Sequence, residues 1–228
     1  MSMLHVFDMD GTLLRGTTAS MEIARKMGCL PELTRLESLF GCGAMTTRDF
    51  ASSICRMWGT LTLSIVDEVF RGAPWIHGLP EVMRDIRARG ERSLVVTMSP
   101  DFFAERLRSF GADEVVASRF PSLPFQEAPD PAGILCPADK VTAVDRALSR
   151  HGLRREQCIA YGDSHSDAPL FDVLPHTVAI NADAYLRARA RLQYEGSDLR
   201  EAYGMARRRL VDERHAEEEP PADRRETR

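Results

Sequence analysis

Helical stretches and short apolar runs alternate through most of the second half of this chain, and few residues separate them. The helical stretches are "LPEVMRDIRARG" (79–90), "PDFFAERLRSFG" (100–111), "ADKVTAVDRALSRHG" (138–152), "DAPLFDVL" (167–174) and "DAYLRARARL" (183–192). Between them lie "RSLVVTMS" (92–99), "DEVVAS" (113–118), "QCIAYGD" (157–163) and "HTVAIN" (176–181), all of which read as strands. A further run, "MLHVF" (3–7), opens the chain. Strands joined through helices by short connections build a parallel sheet with helices on both faces. Little else in the sequence restricts the fold as strongly.

Between the first strand and the alternating region, from about Thr17 to Val69, no strand is credible. "ASMEIARKMG" carries Met21, Ala24 and Met27 at helical spacing and stops at Gly28. "LPELTRLESLF", "TTRDFASSICRMW" and "TLSIVDEVFRG" follow, and Thr46 or Thr47 caps the helix bearing Phe50, Ile54 and Met57. The block reads as an all-helical insertion. The proline-rich segment 119–137 reads as a loop with a weak hairpin near Phe125 and Ile134. The charged tail 206–228 contains Pro220 and Pro221, lacks aromatics, and is expected to be solvated and without fixed structure past about residue 212.

The chain has 228 residues, enough for one core domain and a smaller insertion. Its formal net charge of −4 and the absence of a basic stripe give no general attraction to nucleic acid or an anionic membrane. No stretch is long and apolar enough to span a bilayer. Asp8 and Asp10 interrupt the first apolar run, so the N-terminus lacks a secretory pattern. Cys29, Cys42, Cys55, Cys136 and Cys158 are odd in number and form no C-x-x-C pair, which reads as free thiols in a reducing cytoplasm.

Polar residues collect where strands end. Asp8 and Asp10 follow the first strand, Thr97 and Ser99 close the second long run, and Asp163 and Asp167 follow "CIAYG". Lys140 lies at a helix start. Ligands of open α/β sheets bind at the carboxyl ends of the strands. Four carboxylates in one crevice repel one another unless a cation joins them, and magnesium prefers oxygen ligands and bridges carboxylates to phosphate. Lys140 and the Thr97 hydroxyl add donors for an anion. Asp8 is the candidate nucleophile, since a carboxylate can form an acyl phosphate. Asp10 is the candidate acid and base. Backbone N–H groups from Met9 to Gly11 are candidate phosphate donors, with Gly11 permitting close approach.

These motifs resemble the haloacid dehalogenase superfamily of phosphohydrolases. "DMDGTLL" (8–14) matches D-x-D-G-T, "VVTMS" carries Thr97 as the second motif, Lys140 fits the third, and "GDSHSD" (162–167) fits G-D-x-x-x-D. The helical insertion and "TMSPDFF" look most like the phosphoserine-phosphatase-like branch. The resemblance implies a Rossmann-like core over 1–15 and 76–205, with an all-helical cap over 16–75. By analogy Asp8 is the nucleophile and Asp10 the general acid/base. Met9, Gly11, Thr97, Met98 and Lys140 would hold the phosphoryl group. Magnesium would sit on Asp8, the Asp10 carbonyl and Asp163, with Asp167 nearby.

The branch departs from this chain in its substrate contacts. Phosphoserine phosphatases carry a glutamate nine residues after the nucleophile, and here that residue is Thr17. Their substrate-carboxylate arginine would fall near Met57, which leaves Arg48 or Arg56. Thr17, Arg48, Phe50, Arg56, Ser99 and His165 are therefore the candidate substrate residues. The expectation is a magnesium-dependent phosphomonoesterase acting on a small phosphorylated metabolite: phosphoserine-like, or a sugar, cyclitol or polyol phosphate. A cytoplasmic monomer or homodimer is expected. A phosphomutase or phosphotransferase using the same aspartyl-phosphate, and a non-catalytic phosphate-binding module, stay open as alternatives.

Overall fold

A computed structural model describes residues 2–212. Six parallel strands form one sheet: β1 (Leu4–Phe7), β2 (Arg92–Pro100), β3 (Glu114–Ser118), β4 (Cys158–Gly162), β5 (His176–Ile180) and β6 (Leu192–Tyr194), in the order β3-β2-β1-β4-β5-β6. This is the α/β, Rossmann-like sheet expected from the alternation. The central β1 is flanked by β2 and β4, so the order reverses there and leaves a crevice at its carboxyl end.

Both faces of the sheet are covered, which explains why the strands read as nearly continuous apolar runs. Leu4, Val6, Leu94 and Val96 pack on one face against α7 (Pro137–His151) and α8 (Ala168–Val173). Phe7, Val95, Ile159, Tyr161 and Val178 point to the other face. There they meet α5 (Leu79–Ala88), α10 (Leu199–Ala206), α6 (Asp101–Ala104) and the 3-10 turn Glu105–Phe110. A short α9 (Ala184–Arg187) precedes β6. The sequence pattern extends that helix to residue 192, but it stops early, and the Arg191 N–H bonds to Thr177 Oγ1 as the chain turns into the edge strand.

Four helices stand between β1 and α5: α1 (Ala19–Met27), α2 (Leu30–Gly41), α3 (Thr47–Met57) and α4 (Leu63–Gly72). Thr46, not Thr47, caps α3, in a box with Asp49. Gly28 ends α1 in the left-handed conformation, φ 73°. The chain enters and leaves this block side by side: Ile76 N–H bonds to Leu13 O and Arg15 N–H to Pro74 O.

One expectation about a connecting segment is corrected. The segment 119–137 holds no hairpin; its Pro131–Gly133 turn is 3-10, and Phe120 and Phe125 pack against Phe102 instead. The first residues of the charged tail, through Asp212, are structured. Ala206 ends α10, a π-helical turn continues over Arg207–Asp212, and Leu210 is buried in the core. Arg207 donates to Glu91 Oε2 at 2.7 Å, and Glu91 also meets buried His5 at 2.9 Å. Burial pushes the Glu91 carboxyl up, but His5 and Arg207 outweigh it and hold it below the usual carboxylate range. The rest of that expected tail lies outside the described residues. The five cysteines are free. Among the described residues, no helix is long and apolar enough to cross a membrane.

Candidate active site

Asp8 follows β1 directly, and its N–H bonds to Tyr161 O of β4, which anchors it at the crevice. Its carboxylate is buried, 6% exposed. Lys140, in the first turn of α7, is 1% exposed. Its ammonium donates to Asp8 Oδ1 at 2.7 Å and to Asp167 Oδ1 at 2.6 Å, and lies 3.4 Å from Ser166 Oγ. Burial alone would pull the lysine pKa down, but Asp167 and Asp8 outweigh it and keep the ammonium charged.

Asp163 and Asp167 come from the turn after β4. Asp167 folds back, its Oδ2 accepting from the Asp163 N–H at 3.1 Å and the Ser164 N–H at 3.4 Å. That return runs over Gly162, where a Cβ would lie 2.5 Å from Asp167 Oδ2. Gly11 is needed for the same reason on the β1 side. Its φ is +80°, and a Cβ there would lie 2.0 Å from Asp163 Oδ2. Gly11 thus supplies space rather than a donor: its N–H is already bonded to Leu14 O and Thr17 O, which corrects the expectation of a phosphate contact there. The Met9 side chain is buried in the core, so only its backbone could serve a ligand.

Asp8, Asp163 and Asp167 can each offer an oxygen such that all three lie within 4.8 Å of one another. Asp163 Oδ1 is buried and has no hydrogen-bond partner. Burial, then the charge of Asp167, pushes the Asp163 carboxyl up to about 7, and burial likewise pushes Asp8 well up. An orphaned oxygen in a hard, crowded anionic set fits a divalent cation. The Asp10 carboxylate is not among the three, so any contact of this residue with a cation would be through its main chain.

Asp10 is held separately. Its Oδ2 accepts from Ser99 Oγ at 2.6 Å, with Thr97 Oγ1 3.4 Å away, and its Oδ1 accepts from the Ala19 N–H at 2.7 Å. Burial raises its pKa, opposed by the Ser99 and Ala19 bonds. Thr97, Met98 and Ser99 reach the crevice because β2 slips register against β3 between Val96 and Pro100. Ser99 is thus a partner of Asp10; Pro100, not Ser99, is the cap residue of α6.

A cavity of about 530 Å³ opens from these carboxylates toward α1, α2 and α3. Thr17, Phe50, Met98 and exposed His165 line it. Arg48 and Arg56 do not. Arg48 donates to Pro131 O at 3.1 Å and Arg56 to Ser53 Oγ at 3.0 Å, both on the exposed side of α3. Arg56 is two positions from the lining residue Ile54, about 200° around the helix. The sequence reading missed Glu37 and Phe40 of α2, Thr47 of α3, and Phe120. A signal for Glu37 was present: it replaces an apolar residue in the 30, 33, 37, 40 spacing of the inward face of α2.

The sequence profile of haloacid dehalogenase-like hydrolases matches residues 5–172. The chain belongs to that family. Among curated proteins, a phosphoserine phosphatase of Methanocaldococcus jannaschii is 24% identical over 87% of this chain and 94% of its own length. One from Wolinella succinogenes is 27% identical over 87% of this chain and 97% of its own. One from Archaeoglobus fulgidus is 22% identical over 81% of this chain, which spans about half (54%) of that longer protein. A solved substrate-bound phosphoserine phosphatase complex shares the fold, with a TM-score of 0.76 and 20% identity over 90% of this chain and 98% of that one. A hydrolase of the family from Salmonella enterica superposes with a TM-score of 0.77 and 20% identity, over 87% of this chain and 70% of that one.

Proposed function

We propose that this family member is a magnesium-dependent phosphomonoesterase acting on a small phosphorylated metabolite through an aspartyl-phosphate. The observation that carries the reading is the division of labour between the two acids after β1. Asp8 sits between Lys140 and Asp163, in the part of the crevice where the lysine and the candidate cation ligands meet. Asp10 sits apart, fixed at both oxygens and with a raised pKa. The names of the curated relatives favour the same chemistry.

In the first step an Asp8 oxygen forms a bond to phosphorus while the ester P–O bond breaks. Asp10, protonated, gives its proton to the departing alkoxide. In the second step Asp10 takes a proton from water as the water oxygen attacks phosphorus. The Asp8–phosphoryl bond breaks and inorganic phosphate leaves. Lys140 and the Thr97 hydroxyl stand where they can neutralise the phosphoryl oxygens. Asp8, Asp163 and Asp167 would hold magnesium, which when bound supplies charge neutralisation at the phosphoryl group.

Phosphate release from p-nitrophenyl phosphate and from a panel of metabolite phosphates tests the reading. A chelator is expected to stop release, and added magnesium to restore it. Release that continues at full rate in excess chelator contradicts the metal assignment. Transfer of the phosphoryl group to a second metabolite without free phosphate would favour the phosphotransferase alternative. Arg56→Ala, remote from the cavity, is expected to leave KM and kcat within about twofold of wild type; a tenfold rise in KM would place that arginine at the substrate after all.

A further inference from the structure

Glu37 on α2 is a half-buried carboxylate that lines the cavity, and among the described residues no cation pairs with it. Thr18 Oγ1 donates to its Oε1 at 3.2 Å, and the other charge it feels is the negative one of Asp10. Phenyl rings share its end of the cavity: Phe40, three positions on along α2, and Phe50 of α3, their centroids 5.5 Å apart. Arg25 also lines the cavity, but it is paired with Glu22, which in addition accepts from Thr17 Oγ1 at 2.7 Å. Arg48 and Arg56 face away. The substrate end of the cavity therefore offers a free carboxylate and aromatic faces, and no unpaired guanidinium.

A carboxylate beside aromatic faces recognises an organic cation. A substrate carboxylate would instead meet uncompensated repulsion from Glu37. The separation of the two carboxylates has a ceiling that such a ligand can reach. Asp10 Oδ1 accepts from the Ala19 N–H and Glu37 Oε1 from the hydroxyl of Thr18, one residue earlier. That places the two carboxylates no more than about 10 Å apart. An extended two-carbon amino alcohol, hydrogen-bonded through its ester oxygen at one end and its ammonium at the other, covers about 9 Å.

Resting on the phosphomonoesterase reading above, we infer that the substrate is a phosphorylated amino alcohol without a carboxylate, its ammonium held by Glu37 beside the packed rings of Phe40 and Phe50. Thr17 then has no charge to bind, consistent with its hydroxyl being spent on Glu22. Burial pushes the Glu37 carboxyl up, and a bound ammonium would reverse that.

The test compares O-phosphoethanolamine, its neutral isostere propyl phosphate, and O-phosphoserine. The expected kcat/KM for O-phosphoethanolamine exceeds that for propyl phosphate by about 10- to 100-fold, the size of one charge-assisted contact. It also exceeds that for O-phosphoserine. In Glu37→Gln the preference over propyl phosphate falls to within about twofold. Equal use of the two isosteres, a preference for O-phosphoserine, or a ratio untouched by Glu37→Gln overturns the assignment. Calorimetric binding to the Asp8→Asn protein gives a readout independent of turnover. O-phosphoethanolamine is expected to bind more tightly than propyl phosphate, and equal affinity counts against the ammonium site. Should p-nitrophenyl phosphate not be hydrolysed by the wild type, the phosphomonoesterase reading falls. Should it be hydrolysed with no preference for the cation, only the ammonium assignment falls.

Discussion

Asp8→Asn is expected to release phosphate at no more than about 10⁻⁴ of the wild-type rate, the scale on which loss of a nucleophile acts, while melting no lower than the wild type. The amide has the shape of the carboxylate, so the packing at the end of β1 is kept. It has no anionic oxygen to attack phosphorus. Stability should hold because the wild-type site is electrostatically crowded. Burial pushes the Asp8 carboxyl up, and Asp167, Asp163 and Asp10 add repulsion that Lys140 only partly offsets. Removing one negative charge relieves this and leaves Lys140 paired with Asp167 at 2.6 Å. Phosphate release and a melting curve on the same preparation decide the matter. A variant that turns over at the wild-type rate ends the nucleophile assignment, and one that is inactive because it is unfolded would show it in the melt.

Lys140→Met carries the second large effect, and here stability and activity fall together. The ammonium is fully enclosed and bridges two buried carboxylates that approach from different elements, Asp8 after β1 and Asp167 after β4. Taking it away leaves uncompensated buried charge, at a cost of about 3–5 kcal/mol. For a domain of this size that corresponds to a melting temperature about 10 °C lower. Asp8, whose carboxyl burial has pushed well above the usual range, escapes part of the cost by taking up a proton, so the loss should grow as pH rises through its pKa. Turnover should drop by about 10²- to 10³-fold as well, because a charge facing the phosphoryl group is lost. Magnesium should recover more of the melting temperature in this variant than in the wild type, since the same carboxylates have lost their resident cation. A variant that melts within about 2 °C of wild type at neutral pH would mean that Lys140 is not what holds these anions together.

The sequence reveals the sheet and the charged crevice for one reason. Strands buried on both faces must be apolar throughout, so a carboxylate at a strand end stands out. Asp8, Asp163 and the Thr97–Ser99 segment are all visible this way, whereas the order of the strands is not, because helical connections do not say which strands become neighbours. The helical block is harder to read. Helical periodicity tells which residues share a face, but not which neighbour that face meets. Arg48 and Arg56 were chosen by proximity in sequence to the expected contact, and the turn of α3 carries them away from the cavity. Glu37 was overlooked because α2 is adjacent to the site only after it packs on α1 and α3. Ser99 could be read as a cap or a ligand, yet its hydroxyl is turned to Asp10 by the bulge in β2, a feature with no local signature. Leu210 and Arg207 were lost in a charged tail because single anchoring residues do not make a periodic pattern.

The bond from the Ala19 N–H to Asp10 Oδ1 joins the acid of the crevice to the first residue of α1. A shift of α1 by about 1 Å is enough to break it. On the proposed mechanism, in which Asp10 delivers the proton, that delivery would be geared to the seating of the helices above: a loose fit overhead would also mean an unaimed acid below, and a substrate too large to let α1 settle would stay intact even with its phosphate in place.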